Sequence, residues 1–468
     1  MARSFPLFVV CLLLLAARVD AQTPNDSQIK AADQLIDAAL RDSAAYRRLG
    51  ELVDRFGHRL AGSRSLERAI DWVVAEMKKD GLENVRTQPA MVTHWVRGTE
   101  AATLISPRQM RLPMLGLGRS IGTRAQGITA PVLVVHDFAE LRMRAAEVKG
   151  KIVVYDFPFD STRPNFDAYG EAVRYRSSGA DSAAQFGAVA VLVRSVTPHS
   201  LQTPHTGGMS YGDSTRRIPA AAITVEHAAM LHRMQDRGER IVVRLVMGAR
   251  NLPKTRSRNV IAEVRGSERP EQVVVIGGHI DSWDVGQGAM DDGGGCVAAW
   301  EALRLIKQLG IRPKRTIRAV LWTAEEVGLD GARAYADSNA STIDNHILAM
   351  ESDNGVFQPT GLSIAGTDST REAFRAITPL LRRIGVDSLH AGDSPPDVIP
   401  LHRLGVPAAE LTTVGSRYFW YHHTDADMLD KLDPVELAKN VAGMAVVAFT
   451  VANMDQRIPR APIAAASP

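Results

Sequence analysis

The feature that most constrains the fold is a series of nearly continuous apolar strands in the second half of the chain. Strands are predicted at residues 259–264, 272–277, 316–323 and 347–350, with a helix at 296–309 between the second and the third. Strands of Val, Ile and Leu without a polar face are buried on both sides, as in parallel sheets. Their alternation with helices predicts an α/β fold, in which a mostly parallel sheet is covered by helices on both faces.

The rest of the chain divides around this core. Residues 22–117 are predicted to form the N-terminal part of the main domain, and helical periodicity at 65–79 belongs to it. Residues 118–248 contain short β-type runs between glycines and prolines, which indicates an inserted β-rich domain. Residues 249–457 return to the main domain and end in a long apolar helix. The Pro- and Ala-rich residues 458–468 are predicted to be a disordered tail.

The N-terminus is typical of a secretory signal peptide. Residues 1–21 carry a basic residue, an apolar core and then small residues. The apolar run is shorter than the ~20 residues that span a bilayer. We therefore predict export, into the periplasm, a lysosome or the extracellular space, and no membrane association after cleavage. Cys11 leaves with this segment, so we interpret Cys296, the cysteine of the mature chain, as a small core residue.

Charge argues against one class of partner. The formal net charge is +3 over 468 residues, which is small for this length. No basic run with interleaved aromatic residues occurs. We therefore expect no nucleic-acid partner.

The stretch GGHIDSWDVGQGAMDDGGG, residues 277–295, could be a phosphate-binding loop or a metal site. It contains four acids: Asp281, Asp284, Asp291 and Asp292. These acids would repel a phosphate, and the Gly-Lys-Ser/Thr of a Walker loop is absent. A metal explains more, because His279 directly follows an apolar strand, and sites are built at the carboxyl ends of strands in such sheets. Asp281 can hydrogen-bond the second imidazole nitrogen and so fix which one faces a metal.

Other apolar segments end in acids or imidazoles in the same way. They place Glu325 and Glu326 after the third predicted strand, Asp353 after the fourth, and the pair His422 and His423 after an aromatic run. The carboxyl ends of parallel strands meet at one edge, so we expect these groups to converge with His279. Imidazoles and carboxylates without a thiolate favour a catalytic zinc site over a structural one.

Five motifs then match a family. GGHIDSWD, GAMDDGGG, WTAEE, MESD and HHTDAD, in this order, resemble those of the co-catalytic dizinc aminopeptidase-type exopeptidases. The resemblance covers nearly all of the mature chain, since residues 118–248 look like a protease-associated domain. It implies the zinc exopeptidase fold, two Zn²⁺ per chain and a homodimer.

The resemblance also implies a role for each site residue. Asp291 would bridge the two metal ions, with His279 and Asp353 at one ion and Glu326 and His423 at the other. Glu325 would be the general base, and Asp281 would orient His279.

Three residues next to the last motif are candidate substrate contacts. His423 is preferred to His422 as the ligand because His423-Thr-Asp-Ala-Asp matches the family pattern, which leaves His422 as a pocket neighbour. Arg417 and Tyr418 lie just upstream and could hold substrate. Ordinary packing is the alternative for both.

These observations predict an exported zinc metallopeptidase, a carboxypeptidase or dipeptidase, that hydrolyses dipeptides or short peptides with free termini. An aminopeptidase acting on longer peptides is the alternative, because the sequence does not fix which end of the substrate is read. A non-catalytic binding ectodomain on the same fold is disfavoured, since all five presumed ligands and Glu325 are present.

Overall fold

The computed structural model describes residues 24–199, 201–212 and 216–463. The predicted signal peptide at 1–21 lies outside the described residues. Within them the strands, in chain order, are β1 (Glu83–Val96), β2 (Glu100–Ser106), β3 (Met110–Leu112), β4 (Met114–Gly116), β5 (Ile128–Val135), β6 (Ile152–Tyr155), β7 (Ala190–Arg194), β8 (Ala220–Ile223), β9 (Val242–Met247), β10 (Arg250–Val264), β11 (Arg269–His279), β12 (Arg315–Trp322), β13 (His346–Glu351), β14 (Pro359–Ala365), β15 (Ser388–Ala391) and β16 (Ala408–Thr413).

The helices fall between these strands and at both ends of the described chain. They are α1 (Asp26–Arg41), α2 (Ala44–Phe56), α3 (Arg64–Lys79), α4 (Phe138–Met143), α5 (Ala145–Val148), α6 (Asn165–Ala184), α7 (Val225–Asp236), α8 (Gly294–Gln308), α9 (Asp330–Asn339), α10 (Asp368–Arg375), α11 (Ile399–Arg403), α12 (Tyr418–Tyr421) and α13 (Pro434–Asn453). Helix α3 begins at Arg64, one residue before the predicted start at 65, and the Ser63 side chain caps it by accepting the backbone N–H of Leu66.

The main sheet has the strand order β1-β10-β12-β11-β13-β16-β14-β15. Four of its seven pairings are parallel, and they include the central run β12-β11-β13-β16. Apolar side chains of α1, α2, α3, α8 and α13 pack on one face, and those of α9 and α11 pack on the other. The predicted α/β fold with a mostly parallel, doubly covered sheet is confirmed.

A second sheet forms the inserted domain, in the order β3-β2-β9-β5-β6-β7-β8-β4. It lies in the chain between β1 and β10, which pair with each other in the main sheet. We predicted the inserted segment at 118–248, whereas strands β2, β3 and β4 of this sheet precede residue 118.

Strand β10 and helix α6 show how the structure differs from the predicted pattern. Strand β10 begins at Arg250, upstream of the predicted 259, because its first half forms an exposed antiparallel ribbon with β1 and has no apolar run. Helix α6 was not predicted at all. Its 20 residues, NFDAYGEAVRYRSSGADSAA, include two glycines and several small polar residues, which weaken helical periodicity.

Helix α13 is long and apolar enough to cross a membrane, but 83% of its most apolar window is buried inside the fold. It is a core helix that contacts α1 and α8. Cys296 is a free cysteine in α8 and is 1% exposed, in agreement with the predicted core role. The predicted disordered tail begins with packed residues, since Ile458 and Ala461 are buried. Residues 464–468 lie outside the described part.

Candidate active site

The carboxyl ends of three central strands bring the predicted residues to one edge of the main sheet. His279 ends β11 and pairs in register with Trp322, the last residue of β12. Glu325 and Glu326 follow β12, and Asp353 follows β13, whose Glu351 pairs with Gly277 of β11. The parallel register is therefore the reason why these side chains meet.

Asp291 reaches the same edge from a turn, Ala289–Gly293, which precedes α8. The carboxylate of Asp427 accepts the backbone N–H groups of Ala289, Met290 and Asp291 at 3.1, 2.7 and 3.2 Å. One buried side chain thus fixes the backbone that carries Asp291.

The glycines of this stretch allow close packing. A Cβ atom on Gly278 would lie 2.2 Å from a carboxylate oxygen of Asp292, and one on Gly295 would lie 1.9 Å from the carbonyl oxygen of Ser352. Helix α8 and the turn before it can approach the ends of β11 and β13 only because both positions lack a side chain. The glycines therefore allow close backbone packing, which agrees with the sequence argument against a phosphate-binding loop.

The two oxygens of Asp291 face two different groups of side chains. Asp291 Oδ1 lies 3.2 Å from His279 Nε2, which is also 3.3 Å from Asp353 Oδ1. Asp291 Oδ2 lies 3.3 Å from His423 Nε2, which is also 3.2 Å from Glu326 Oε2. The structure thus brings all five predicted ligands together in the predicted pairs, with Asp291 between them. Their role as ligands stays a prediction.

This donor set, two imidazoles and three carboxylates without a thiolate, is typical of catalytic zinc sites. Among the described residues, three groups hold ligand atoms within 4.8 Å of one another: Asp291, His422 and His423; His279, Asp292 and Asp353; His279, Asp291 and Glu326. The buried atoms Asp291 Oδ2 and Glu326 Oε1 have no hydrogen-bond partner among the described residues. Buried carboxylates without partners are costly, and a cation would satisfy them. Asp292 is different, because its oxygens accept backbone N–H groups at 3.0 Å.

Burial dominates the electrostatics of the site. It opposes the charged form of Asp291, but the imidazoles of His279 and His423 outweigh it and hold the pKa of Asp291 well below its usual range. Burial raises the pKa of Glu325 well above its usual range, and the carboxylates of Asp353 and Glu326 add to this shift.

Each imidazole is oriented by a backbone carbonyl. His279 Nδ1 lies 3.0 Å from the carbonyl oxygen of Asp281, while the Asp281 carboxylate is 3.8 Å away and accepts the N–H of Glu325. The predicted contact between Asp281 and His279 exists, but the main chain makes it, because the side chain is occupied by Glu325. His423 Nδ1 lies 3.3 Å from the carbonyl oxygen of Thr206, which belongs to the inserted domain.

A cavity of about 740 Å³ opens over these groups. Tyr418 and His422 line it, as does Glu325. The ring of His422 stacks on that of His423 with 3.5 Å between centroids, and the Tyr418 hydroxyl donates to the Asp353 carbonyl oxygen at 3.3 Å. Both residues therefore lie at the cavity, and their contact with substrate stays a prediction.

Arg417 is not in the cavity, contrary to its predicted substrate contact. Its guanidinium lies 3.1 Å from the Glu436 carboxylate and 4.8 Å from the centroid of the Phe357 ring. Packing was the alternative for this residue, and its neighbours support that interpretation.

Sequence reasoning missed several residues of the site. Arg59 is fully buried and donates to the carbonyl oxygens of Ile280, Gln287 and Gly288, so it shapes the glycine-rich loop. Behind the site, the buried Glu351 accepts the backbone N–H of Asp397 at 2.9 Å, and burial raises the pKa values of both carboxyls well above their usual range. Glu351 lies in the MESD motif, but no sequence signal marked its contact with Asp397 or the role of Arg59, since these partners are distant in the chain.

The chain matches two family models. Peptidase family M28 matches residues 259–448, and the PA domain matches residues 124–231. The first covers the metal-site strands, and the second falls inside the second sheet.

Known relatives extend the match over most of the chain. Carboxypeptidase Q of Xenopus laevis is 47% identical over 94% of this chain and 93% of its own. Carboxypeptidase Q of Homo sapiens is 46% identical over 89% of this chain and 87% of its own. The crystal structure of a peptidase M28 precursor from Shewanella amazonensis superposes with a TM-score of 0.90 at 37% identity, covering 93% of this chain and 99% of that one.

One more distant structure shares only the fold. An aminopeptidase from Aneurinibacillus has a TM-score of 0.65 at 22% identity, covering 92% of this chain and 98% of that one. The family matches, the sequence identities over nearly the whole chain and the convergence of the motifs agree. The chain therefore belongs to peptidase family M28, with a PA domain inserted into its peptidase domain.

Proposed function

We propose that this chain is a zinc-dependent exopeptidase that hydrolyses dipeptides or short peptides with free termini. The observation that carries the proposal is the position of Asp291, whose two oxygens each face a separate His–carboxylate pair at 3.2 and 3.3 Å. Such a carboxylate is suited to bridge two metal ions in a hydrolytic site. The names of the carboxypeptidase Q relatives support exopeptidase action.

The proposed site would hold two Zn²⁺ per chain, with Asp291 shared between them. His279 and Asp353 would complete one position, and Glu326 and His423 the other. When bound there, zinc supplies Lewis-acid polarisation of a peptide carbonyl and makes water more acidic at neutral pH.

Glu325 is the proposed general base. It lines the cavity beside the ligands, and the Asp281 carboxylate holds its backbone N–H at 3.1 Å. Burial raises the pKa of Glu325, so its carboxylate is a better proton acceptor near neutral pH than an exposed glutamate. A Glu325 oxygen would take the proton of the attacking water and then deliver it to the nitrogen of the leaving amine.

The cavity favours small substrates. Residues of both domains line it: Tyr418 belongs to the peptidase domain and Tyr169 to the inserted domain. A volume of about 740 Å³ is within the range of small-molecule sites. We therefore propose peptides of a few residues as substrates, in an exported enzyme that forms a homodimer, as the family resemblance implies.

The test combines metal content with hydrolysis. The mature chain is purified, its zinc is counted, and unblocked dipeptides, end-blocked dipeptides and longer peptides are offered with and without chelator. Two zinc ions per chain and chelator-sensitive cleavage of unblocked dipeptides are expected. Preferred cleavage of longer peptides from the N-terminus would instead support the aminopeptidase alternative. Zinc binding without cleavage of any peptide would overturn the proposal in favour of a binding protein.

A further inference from the structure

One carboxylate of the cavity has no cationic partner and no role in the proposed zinc site. Glu410 lies on β16 and lines the cavity that also contains Glu325 and Asp353. It is half-buried, and no Lys, Arg or His of the described residues lies within 4.0 Å of its carboxylate. Asp393, which lines the cavity as well, is exposed, so water solvates its charge. Glu410 is therefore an acid whose charge neither the fold nor the solvent fully compensates.

The sheet holds Glu410 beside the proposed metal ligands. In the register of the sheet it pairs with Glu351 of β13, two residues before Asp353, and with Ser363 of β14 on its other side. Paired residues project from the same face of a sheet. Ser363 also lines the cavity, which thus extends along this face past Glu410. A group bound at Glu410 would lie to one side of the metal site, where a substrate side chain rather than the scissile bond is expected.

The loop after β15 forms the neighbouring part of the cavity wall. The N–H of Gly392 donates to the carbonyl oxygen of Ile364 at 3.2 Å, and a Cβ atom on Gly392 would lie 1.9 Å from Ser363 Oγ. The loop therefore packs directly on β14, and its next residues include Pro395 and Pro396, which line the cavity. This part of the cavity thus combines apolar proline rings with a half-buried carboxylate.

The environment of Glu410 favours the arrival of a cation. Burial raises the pKa of its carboxyl to about 8, and the Asp353 carboxylate adds to this shift, while a hydrogen bond from Asn354 opposes it. A positive charge at hydrogen-bonding distance would stabilise the ionised form. Lys and Arg carry such a charge on a long apolar stem, which can lie along apolar surface. The arginines that line the cavity among the described residues, Arg119 and Arg176, belong to the inserted domain and do not pair with Glu410.

We infer that Glu410 binds the basic side chain of a peptide substrate, so that the enzyme favours dipeptides that contain Lys or Arg. This inference rests on the proposed exopeptidase function and specifies its substrates. The stem of the side chain would pack on Pro395 and Pro396, and its ammonium or guanidinium group would donate to the Glu410 carboxylate. The main domain then supplies side-chain specificity as well as the metal site.

The test compares lysine with norleucine, which has a similar stem and no ammonium group. The zinc-loaded enzyme is assayed at about pH 8.5, where Glu410 is mostly ionised, on unblocked dipeptides that carry either residue at the first or the second position and alanine at the other. We expect the wild type to favour the lysine dipeptide roughly 10- to 100-fold in kcat/KM at one position, mainly through KM, because of the charge-assisted hydrogen bond. Glu410→Gln should lose this preference and keep its activity on the norleucine dipeptides.

Glu271→Gln is the matched control. Glu271 is an exposed residue near the start of β11 and does not line the cavity, so its variant should keep the wild-type preference. Glu410→Asp keeps the charge on a shorter side chain and should retain more of the preference than Glu410→Gln.

Three outcomes would overturn the inference. Equal kcat/KM values for lysine and norleucine at both positions in the wild type would show that the cavity does not recognise this charge, and that result does not depend on the folding of a variant. An equal loss on both kinds of dipeptide in Glu410→Gln would show that the carboxylate holds the substrate α-ammonium or only maintains the structure. Calorimetry on the zinc-loaded Glu325→Gln variant measures binding without turnover, and equal dissociation constants for the two dipeptides would again contradict the inference. Wild-type enzyme that cleaves no dipeptide would contradict the proposed function itself, whereas the binding comparison would still test Glu410.

Discussion

The turn that carries Asp291 depends on the carboxylate of Asp427, and Asp427→Asn tests this dependence. Asp427 accepts three backbone N–H groups at 2.7 to 3.2 Å and is 4% exposed. In the variant, one oxygen can still accept the N–H groups of Ala289 and Met290. The other oxygen becomes an NH₂ group that faces the N–H of Asp291, so donor meets donor.

The magnitude follows from these contacts. A hydrogen bond to a charged group contributes about 1.5–3 kcal/mol, and an unsatisfied buried N–H costs about 1–3 kcal/mol. Since one bond is lost and two are weakened, we expect the free energy of unfolding to fall by about 2–4 kcal/mol. Burial raises the pKa of Asp427 to about 7 and so opposes its ionised form, and the neutral amide recovers part of this cost, which puts the expected fall at the low end of that range. The comparison is therefore made at about pH 8.5, where the carboxyl is ionised.

The assay is urea unfolding of the chelated protein, followed by zinc titration of the folded protein. Chelation removes the contribution of metal binding from the unfolding comparison. Asp425→Asn is the matched control, because Asp425 lies two residues away and is exposed. We expect the control to match the wild type, and Asp427→Asn to unfold at lower urea and to bind less zinc. The wild-type unfolding midpoint with full zinc occupancy in Asp427→Asn would refute the argument that this carboxylate holds the bridging residue.

Three further changes test other parts of the structure. Glu325→Gln should keep its zinc and lose roughly 10²- to 10⁴-fold in kcat on an unblocked dipeptide, and unchanged turnover would remove Glu325 from the general-base role. Burial lowers the pKa of His346 to about 4, so the unfolded chain binds a proton there that the folded chain does not. The contribution of His346 to the free energy of unfolding is fully present above pH ~6.5, and it falls by up to about 3 kcal/mol as the pH approaches 4. His346→Gln should flatten that part of the pH dependence of chelated-protein unfolding, and a slope equal to wild type would contradict the assignment. Cys296→Ser should remain active while losing about 1–3 kcal/mol of stability, because a hydroxyl replaces a buried thiol; full folding without activity would point to a thiol role.

The convergence of the candidate metal ligands could be predicted from the sequence because its local signals are strong. His279, Glu326 and Asp353 each follow an apolar strand, and a parallel sheet brings such strand ends to one edge. The resemblance then placed Asp291 and His423, which lie in a turn and a loop that periodicity cannot position. The role of Asp427 was not visible, since it depends on hydrogen bonds to residues 136 to 138 positions away.

Arg417 and Arg176 show why sequence neighbourhood is a poor guide to the substrate cavity. Arg417 lies six residues before His423, yet the chain turns it toward Glu436 and Phe357. Arg176 is far from every metal-site motif and lies on a helix whose polar, glycine-containing sequence gave no helical signal. Its position in the cavity results from the packing of one domain on another, and no short-range pattern encodes that packing.

The inserted domain contributes contacts to the candidate active site. Its removal should therefore do more than expose the cavity to solvent. Thr206 lies 217 residues before His423, and their backbones exchange a further contact, because the Thr206 N–H donates to the His423 carbonyl oxygen at 3.0 Å. Without this loop, the His423 imidazole loses the carbonyl that fixes its orientation, and Nε2 is no longer held toward Asp291 and Glu326. Hydrogen bonds that orient a metal-binding imidazole commonly contribute 10- to 100-fold to metal affinity. The Thr206 carbonyl oxygen also accepts a hydrogen bond from Arg176, which lines the cavity, so one segment of the inserted domain links the orientation of a proposed zinc ligand to the cavity wall.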